Sequence, residues 1–354
     1  MKRLLALILV TALLATMLAA CGGTAPASSA PASSEPASSA PASSEQASSE
    51  PAAPAWEPKK DIEMVIPASA GGGSDLWARM ICNAVSINGL SSANWVPVQK
   101  AGGAGAVGYN YCATKKGDEY TLLSLHSGVP VSSYVAGWEN TFESYTDIIC
   151  IMASDDVTIC TLADGPYKTI EDLLKAAKEN PGTIRFGSDQ RLNISQYGYE
   201  LIQKYAECEM NYVQFDSSGD AATALLGGHV DCAILNPSEC LGQVEAGSFI
   251  PVATFAPERL GGLFKDTPTF AEAGYPEITM REFRGLSGNV DMPVEAKKYY
   301  EGVMKEVMET KEFKEYCKTR NLVPMWIGLD EAQKYTVEET EKIAVLFEEI
   351  GAEG

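Results

Sequence analysis

The most regular pattern in the chain is a short apolar run, then small polar residues, then apolar residues at helical spacing. The first run covers residues 62–66 and predicts a buried strand. Pro67 ends it, and the glycines at 71–73 turn the chain. The apolar residues beyond Ser74 then fall on one helical face, and they are Leu76, Met80, Ile81, Ala84 and Val85. The pattern predicts a strand, a glycine-rich turn and an amphipathic helix, in that order.

The same order of features recurs three more times. The predicted strands cover residues 95–98, 183–186 and 211–215, and each leads through a turn rich in glycine or serine into a helix. A further strand is predicted over 230–235. Strands that alternate with helices form mainly parallel sheets, and ligands of such folds bind beyond the carboxyl ends of the strands. The sequence therefore predicts an α/β protein with its site at these turns.

Each of the four turns delivers the N-terminus of a helix, where backbone N–H groups have no partner within the helix. These groups and the positive end of the helix dipole bind anions without lysine or arginine. A single turn of this kind has a simpler explanation, because βα turns use glycine for its backbone angles. Four turns at the same structural position favour a shared cleft that binds anions.

One of the turns imitates a nucleotide-binding motif. Gly103-x-Gly105-x-x-Gly108 follows a predicted strand and opens a helix, as a dinucleotide fingerprint does. The acidic residue that such a site places about 20 residues further on is missing, since Asp118 and Glu119 come too early. We therefore predict no nucleotide and no other cofactor.

The N-terminus has the features of an exported lipoprotein. Lys2 and Arg3 precede an apolar run over residues 4–18 that is too short for a spanning helix. The run ends in Leu18-Ala-Ala-Cys21, the pattern of a bacterial lipoprotein signal. We expect cleavage after residue 20 and a lipid on Cys21, which places the protein at the outer face of the cell membrane or in the periplasm. The alternative is an ordinary signal peptide with a cysteine nearby by chance.

Residues 21–55 form a segment of low complexity between this signal and the rest of the chain. They are almost only Ala, Ser, Pro, Gly and Glu, in repeats of five residues. Without large apolar side chains to bury, the segment cannot offset the entropy of ordering. We expect a disordered tether that holds a globular region away from the membrane, with folded sequence starting near Trp56.

Charge and cysteine usage exclude several classes of partner and site. The formal net charge of −20 repels nucleic acid, although a site can still be locally positive. The chain has nine cysteines, no C-x-x-C pair and only two histidines, so no metal site is predicted. Most of the eight cysteines after Cys21 lie in apolar stretches, which favours buried thiols over a disulfide framework.

Several sequence segments follow one another in a characteristic order between residues 60 and 350. They are Pro67-Ala-Ser-Ala-Gly-Gly-Gly-Ser-Asp75 with Arg79, Lys100-Ala-Gly-Gly-Ala-Gly105, Lys116-Gly-Asp-Glu-Tyr-Thr-Leu-Leu123, Ile170-Glu-Asp-Leu-Leu-Lys-Ala-Ala-Lys-Glu-Asn-Pro-Gly182, Ala224-Leu-Leu-Gly-Gly-His-Val-Asp231, Asp266-Thr-Pro-Thr-Phe-Ala-Glu-Ala-Gly-Tyr275, and Phe283-Arg-Gly-Leu286 with Asp330-Glu331. In order and spacing these segments resemble the substrate-binding proteins of tripartite tricarboxylate transporters, the Bug-type receptors.

The resemblance implies a two-lobed periplasmic-binding-protein fold of type II, with α/β lobes and a ligand cleft between them. We expect the first lobe to contain residues 56–156 and 256–354, and the second to contain 157–255. Helices at 294–308 and 330–349 are expected to pack on the first lobe. The resemblance also implies a receptor without catalysis, and we expect it to be a monomer.

The ligand implied by the resemblance is a small carboxylate, delivered to integral membrane subunits of a transporter. The family holds it with main-chain N–H groups, small hydroxyl groups and waters rather than a dedicated arginine. On this basis the expected ligand-binding residues in the first and third turns are Ala70, Gly71, Gly72, Gly73, Ser74, Asp75, Gly187, Ser188 and Asp189.

The chain departs from the family pattern in the second half. Asp189 follows Gly187-Ser188 where the family continues with glycine and serine, and Asp216 stands where the family favours lysine. Ionised carboxylates there would repel a second carboxylate of the ligand. They could instead bind an amino or polar group, although Asp216 could also be a helix cap. Arg191 is either a partner for a ligand carboxylate or a solvated loop cation. His126 follows a predicted strand and, with Ser127, is expected to line the cleft.

Two other classes of function remain open at this point. A hydrolase would use Ser74, His126 and an aspartate as a triad, but the chain has no G-x-S-x-G elbow. A surface sensor or adhesin would use the same fold to present itself to another protein. Binding that depends on a small molecule distinguishes the receptor from the sensor or adhesin, and turnover of activated esters that is lost in His126→Ala would indicate the hydrolase.

Overall fold

The computed structural model describes residues 56–351 apart from residues 137, 140, 190 and 216. The predicted signal peptide, Cys21, the tether and Asp216 therefore lie outside the described residues. None of the described helices is both long and apolar enough to cross a membrane.

The strands and helices alternate as the sequence predicts. The strands in chain order are β1 (Ile62–Ile66), β2 (Trp95–Gln99), β3 (Thr121–His126), β4 (Thr146–Ser154), β5 (Thr158–Leu162), β6 (Arg185–Ser188), β7 (Asn211–Gln214), β8 (Cys232–Leu235), β9 (Phe249–Thr254), β10 (Phe283–Asn289) and β11 (Val323–Ile327). The helices are α1 (Gly73–Asn88), α2 (Ala106–Ala113), α3 (Gly128–Val135), α4 (Ile170–Glu179), α5 (Ile194–Ala206), α6 (Ser218–Leu226), α7 (Pro237–Glu245), α8 (Val294–Glu309), α9 (Lys311–Arg320) and α10 (Leu329–Glu349).

These strands form two sheets. The first has six strands in the order β11-β4-β10-β3-β1-β2, and the second has five in the order β7-β6-β8-β5-β9. Parallel pairing joins β1 to β2 and β3 in the first sheet, and β6 to β7 and β8 in the second. The other pairs are antiparallel. Each sheet is therefore mixed. In the first sheet, β10 runs opposite to its neighbours β3 and β4, and in the second sheet β5 runs opposite to β8 and β9.

The first helix shows how the sequence fixes these elements. Met80, Ile81, Ala84 and Val85 are buried on one face of α1, as their spacing predicts, and Leu76 is only partly buried. The helix ends at Gly89, whose positive φ of 63° is a backbone conformation that glycine adopts without strain. The buried face packs the helix on the first sheet, which fixes the position of its N-terminus.

The last helix differs from its expected position. Ala332, in the first turn of α10, packs with the first-sheet core, as expected for a helix of the first lobe. Ile343, Leu346 and Phe347 pack instead in the cluster that contains Phe186 of the second sheet. A helix of 21 residues is about 30 Å long, so its two ends can pack in different cores. The expectation that this helix packs on the first lobe therefore holds only for its N-terminal part.

The segment between β9 and β10 also packs toward the second sheet. Phe255, Phe270, Ile278 and Met280 are buried in the same cluster as Phe186. This packing favours a return crossing near residue 282, later than the limit at 255 that the sequence predicts, and the lobe limits remain a prediction.

The eight described cysteines are free, as the sequence predicts, and seven of them are buried. Burial raises the thiol pKa of Cys82, Cys112 and Cys317 to about 12. The Sγ atoms of Cys160 and Cys240 lie 3.9 Å apart. These residues behave as small apolar core residues with unreactive thiols.

Candidate functional site

A cavity of about 390 Å³ lies where the carboxyl ends of strands from both sheets meet. The loops after β1, β2 and β3 form one side, which we call the first wall, and it includes Gly73, Gly103 and His126. The N-terminal ends of α5, α6 and α7 form the opposite side, the second wall, and the segment that enters β10 forms the floor. This is the location that strands alternating with helices predict for a ligand.

The first wall contains the N-terminus of α1. Gly72 is its N-cap residue and has no side chain that could accept a hydrogen bond from the first turn. Gly73 and Ser74 follow on the surface of the cavity. The unpaired N–H groups of this turn and the helix dipole make the first wall suitable for an anion.

Asp75 belongs to the same turn but has a supporting role. Its carboxylate accepts hydrogen bonds from the Gly71 amide at 3.0 Å and from Arg79 Nε at 2.9 Å. Burial raises the pKa of Asp75, but these two hydrogen bonds outweigh it and hold the pKa below its usual value. The carboxylate therefore fixes the shape of the loop.

The floor of the cavity contains a buried arginine. Arg284 on β10 is 4% exposed, and its Nε and Nη2 atoms both donate to Asp155 Oδ2, the former at 3.0 Å. Its Nη2 lies 2.7 Å from the position that a Cβ on Gly73 would occupy. Glycine is thus required at position 73 for the guanidinium to lie against the start of α1.

Two acidic residues flank this arginine. Glu282 Oε1 lies 3.8 Å from Arg284 Nη2, and Glu282 Oε2 accepts a hydrogen bond of 2.9 Å from Asn236. Burial raises the pKa of Glu282 to about 8, although the charge of Arg284 acts in the opposite direction. Glu282 is consequently protonated at neutral pH, and Asp155 is the carboxylate paired with Arg284.

His126 lies on the first wall, where the sequence places it. Burial, and after it the positive charge of Arg284, lowers the imidazole pKa to about 3. The ring approaches α3 so closely that a Cβ on Gly128 would be 3.1 Å from it. His126 is therefore a neutral group at physiological pH, available only for hydrogen bonding or packing.

The second wall has two carboxyl groups. Asp189 Oδ1 accepts a hydrogen bond of 2.9 Å from Asn193, and Glu239 accepts one from the Ser218 hydroxyl. Burial raises the pKa of both carboxyl groups. The N-termini of α5 and α6 are capped by side chains, since Asn193 accepts from the Gln196 amide and Ser217 from the Asp220 amide, whereas α7 has no side-chain cap. The second wall therefore presents carboxyl groups where the first presents backbone amides.

The structure brings some predicted site residues together and separates others. The predicted residues that line the cavity are Gly72, Gly73, Ser74, His126 and Asp189. Of the others, Ala70 and Gly71 lie in the loop before α1, Asp75 lies in the first turn of α1, Gly187 and Ser188 end β6, and Asp216 is outside the described residues. Ser127 joins β3 to β10 instead, with its Oγ accepting from the Phe283 amide at 3.3 Å.

Arg191 and Gly187 do not line the cavity, and the contacts of each have another structural explanation. Arg191 is exposed, and its guanidinium lies 5.7 Å from the centre of the Tyr212 ring. A Cβ on Gly187 would lie 3.0 Å from Val230, so close packing of β6 against the segment that enters β8 accounts for this glycine. The structure favours the interpretation of Arg191 as a surface cation.

Sequence reasoning missed Arg284, Glu282, Asn236 and Glu239 as cavity residues. A signal was present for the first, since Arg284 is a charged residue within the apolar run of the segment 283–286. Glu239 had no such signal, because an acidic residue in the first turn of a helix is common for electrostatic reasons alone.

The chain is similar in sequence or in fold to several known proteins. Protein BugT of Bordetella pertussis is 24% identical over 299 residues, which cover 83% of this chain and 90% of that protein. A Rhodopseudomonas palustris protein solved with adipate has a TM-score of 0.75 at 19% identity, covering 83% of this chain and 98% of its own. MatC from the same organism, solved with bound malate, has a TM-score of 0.69 at 17% identity, covering 82% and 99%. These two likenesses show the fold.

A family model decides the relationship. The model described as the tripartite tricarboxylate transporter family receptor matches residues 91–352, well over half of the chain. The match spans the helices and strands from β2 to α10, and with them the second sheet, the first sheet apart from β1, and the residues of the floor and the second wall. The chain belongs to the tripartite tricarboxylate transporter receptor family.

Proposed function

We propose that this protein is an extracytoplasmic receptor that captures a small carboxylate and delivers it to the membrane subunits of a tripartite transporter. One observation carries the proposal: the uncapped N-terminus of α1 lies against the buried guanidinium of Arg284 in a cavity between the sheets. Adipate and malate bound to two proteins of the same fold support a carboxylate as the ligand.

The geometry gives little support to catalysis. Ser74 and His126 are both on the first wall, but no hydrogen bond joins their side chains among the contacts of the described residues. An imidazole with a pKa of about 3 is also a weak general base at neutral pH. We therefore propose binding without turnover, and a burst of product from activated esters that is lost in His126→Ala would contradict it.

Thermal unfolding tests the proposed ligand class. Protein stripped of ligand by unfolding and refolding is screened against monocarboxylates, dicarboxylates, tricarboxylates and amino acids. A ligand that binds only the native state stabilises it by about 2.7 kcal/mol at 100 times its Kd, which raises the melting temperature. If no small carboxylate shifts the melting temperature, the receptor proposal is wrong, and a sensor or adhesin becomes the better interpretation.

Gly73→Ala tests whether binding occurs in this cavity. The new Cβ would displace the Arg284 guanidinium, so we expect the ligand-induced shift to disappear. Gly302→Ala is the matched control, because no atom lies within 4 Å of a Cβ at that helical position. An unchanged shift in Gly73→Ala would place the ligand elsewhere.

The lipid anchor is a further part of the proposal and rests on the pattern at residues 18–21. Cys21→Ala should release the protein from the membrane fraction while it still binds ligand. Uptake of the ligand by cells should fall, because a tethered receptor has a higher effective concentration at its transporter. Retention of the variant in the membrane fraction would exclude Cys21 as the anchor.

A further inference from the structure

The charged groups around the cavity are unequally distributed. Its described lining contains one cationic side chain, Arg284, and three carboxyl groups, which are Asp189, Glu239 and Glu282. Asp155 beneath the floor already pairs with the arginine. The carboxyl groups of the second wall have no such partner, because no lysine or arginine of the described residues forms an ion pair with Asp189 or Glu239. Because Glu282 is protonated at neutral pH, the carboxyl groups of the lining that can accept a positive charge are those of the second wall.

The floor contains a hydrogen-bond donor that is unpaired among the described residues. Arg284 is 96% buried and lines the cavity, yet its Nη1 has no hydrogen-bond partner among the described residues. Nη1 lies 3.1 Å from the position of a Cβ on Gly73, next to the unpaired amides of α1. A guanidinium edge and helix-terminal amides together make a site for one carboxylate.

The second wall is organised to accept hydrogen bonds. Asn193 and Ser218 each donate to one of its carboxyl groups and fix its orientation. A carboxylate has about four lone-pair positions, so Glu239 retains capacity for a further donor, whereas Asp189 also has the hydroxyls of Ser188 and Ser195 beside it. Burial raises the pKa of both groups, and the charge of Arg284 offsets this effect only in part at Glu239. A protonated amine of a ligand between the two groups would stabilise their ionised forms.

We propose that the ligand is a zwitterion, with one carboxylate on Arg284 and the N-terminus of α1 and one protonated amine between Asp189 and Glu239. The inference rests on the proposed receptor function and names the ligand class of the same cavity. A dicarboxylate fits the cavity less well, because its second carboxylate would face the two acidic residues of the second wall. Amino acids are the simplest molecules with the required pair of charges.

Matched ligand pairs test this directly. Isothermal titration at neutral pH compares amino acids with the acids that lack only the amine: alanine with propionate, leucine with 4-methylpentanoate, aspartate with succinate and glutamate with glutarate. Malate and adipate complete the set. We expect at least one amino acid to bind about tenfold or more tightly than its amine-free partner, the usual cost of leaving a buried charge unpaired.

Two neutral variants test the position of the amine. Asp189→Asn and Glu239→Gln should each weaken amino-acid binding about tenfold or more, while binding of the amine-free acids stays the same or improves. Glu258→Gln is the matched control, because it removes one negative charge from an exposed position outside the cavity and should change affinity less than about twofold. Melting curves of the free variants show whether each one folds.

The outcomes separate the inference from the proposed function. Dicarboxylates that bind as tightly as the amino acids, or amino-acid affinity that is unchanged in both variants, would overturn the zwitterion and leave the receptor in place. Failure of every acid in the set to bind would overturn both. Because the ligand pairs are compared on the unaltered protein, the result does not depend on the folding of a variant.

Discussion

The two walls of the cavity are built from the same structural unit but have opposite electrostatic character. On the first wall, a strand leads into α1 through a glycine cap, and the amides of the first turn remain unpaired. On the second wall, Asn193 and Ser217 cap their helices with their own side chains, and carboxyl groups fill the space in front. The comparison teaches that the cap residue and its neighbours, not the βα turn itself, decide which charge a turn accepts.

The largest effect is expected at the floor, where the two walls meet. Arg284→Met would leave Asp155 buried without its cation, a change that typically costs about 3–5 kcal/mol of unfolding free energy. Binding of any carboxylate should be lost as well. Urea unfolding and ligand titration measure the two effects.

The double variant Arg284→Met with Asp155→Asn is the control for that prediction. It removes the uncompensated charge, so it should recover much of the lost stability without recovering ligand binding. Equal stability of the single and double variants would mean that Arg284 does not compensate a buried charge on Asp155.

An intermediate effect concerns the pH dependence of stability. Glu282 has a pKa of about 8 in the folded protein and about 4.3 in the unfolded chain, so the folded state binds the extra proton between these values. Its contribution to stability is present below about pH 4.3 and is lost as pH rises toward 8, by at most about 1.4 kcal/mol for each pH unit.

Glu282→Gln isolates this contribution, because His126 titrates in the opposite sense. The imidazole pKa of about 3 makes stability fall as pH drops below about 6.5 in both proteins. We expect the free energy of unfolding of Glu282→Gln, relative to that of the unaltered protein, to rise between pH 5 and 8. A difference that does not vary with pH would show that Glu282 is ionised throughout.

The smallest effect is expected from removing the side-chain cap of a helix in the second wall. Asn193→Ala removes the cap of α5 and the donor to Asp189, and should cost about 1 kcal/mol of stability. Thr169→Ala removes a comparable cap from α4, which does not line the cavity. Both should lower the melting temperature by a similar amount, but only Asn193→Ala should alter ligand affinity. Equal affinities would mean that Asn193 has no influence on the site.

The features that could be predicted from the sequence are the local ones. The glycine turn at 71–73 and the other turns rich in glycine or serine follow from short patterns, and they were enough to predict a site at the ends of the strands. The sequence also predicted His126 on the cavity surface, because a residue that ends a buried strand lies at that edge of the sheet.

The features that could not be predicted depend on contacts between distant parts of the chain. Arg284 reaches the cavity only because β10 inserts between β3 and β4, a pairing that no short pattern indicates. The position of Ser127 depends on the same strand, since its hydroxyl accepts from the Phe283 amide. The division of α10 between two cores likewise depends on where the second sheet lies. The charge of the floor was therefore missed while the position of the cavity was found.

The close approach of Gly73 to Arg284 has an evolutionary consequence. Any side chain at position 73 would displace the guanidinium, so such a change disturbs the floor least once the arginine has been replaced by a shorter residue. Replacement of the arginine alone in turn leaves Asp155 buried without its cation. Substitutions at the three positions are therefore coupled, and a change of ligand through this floor favours lineages that alter more than one of them.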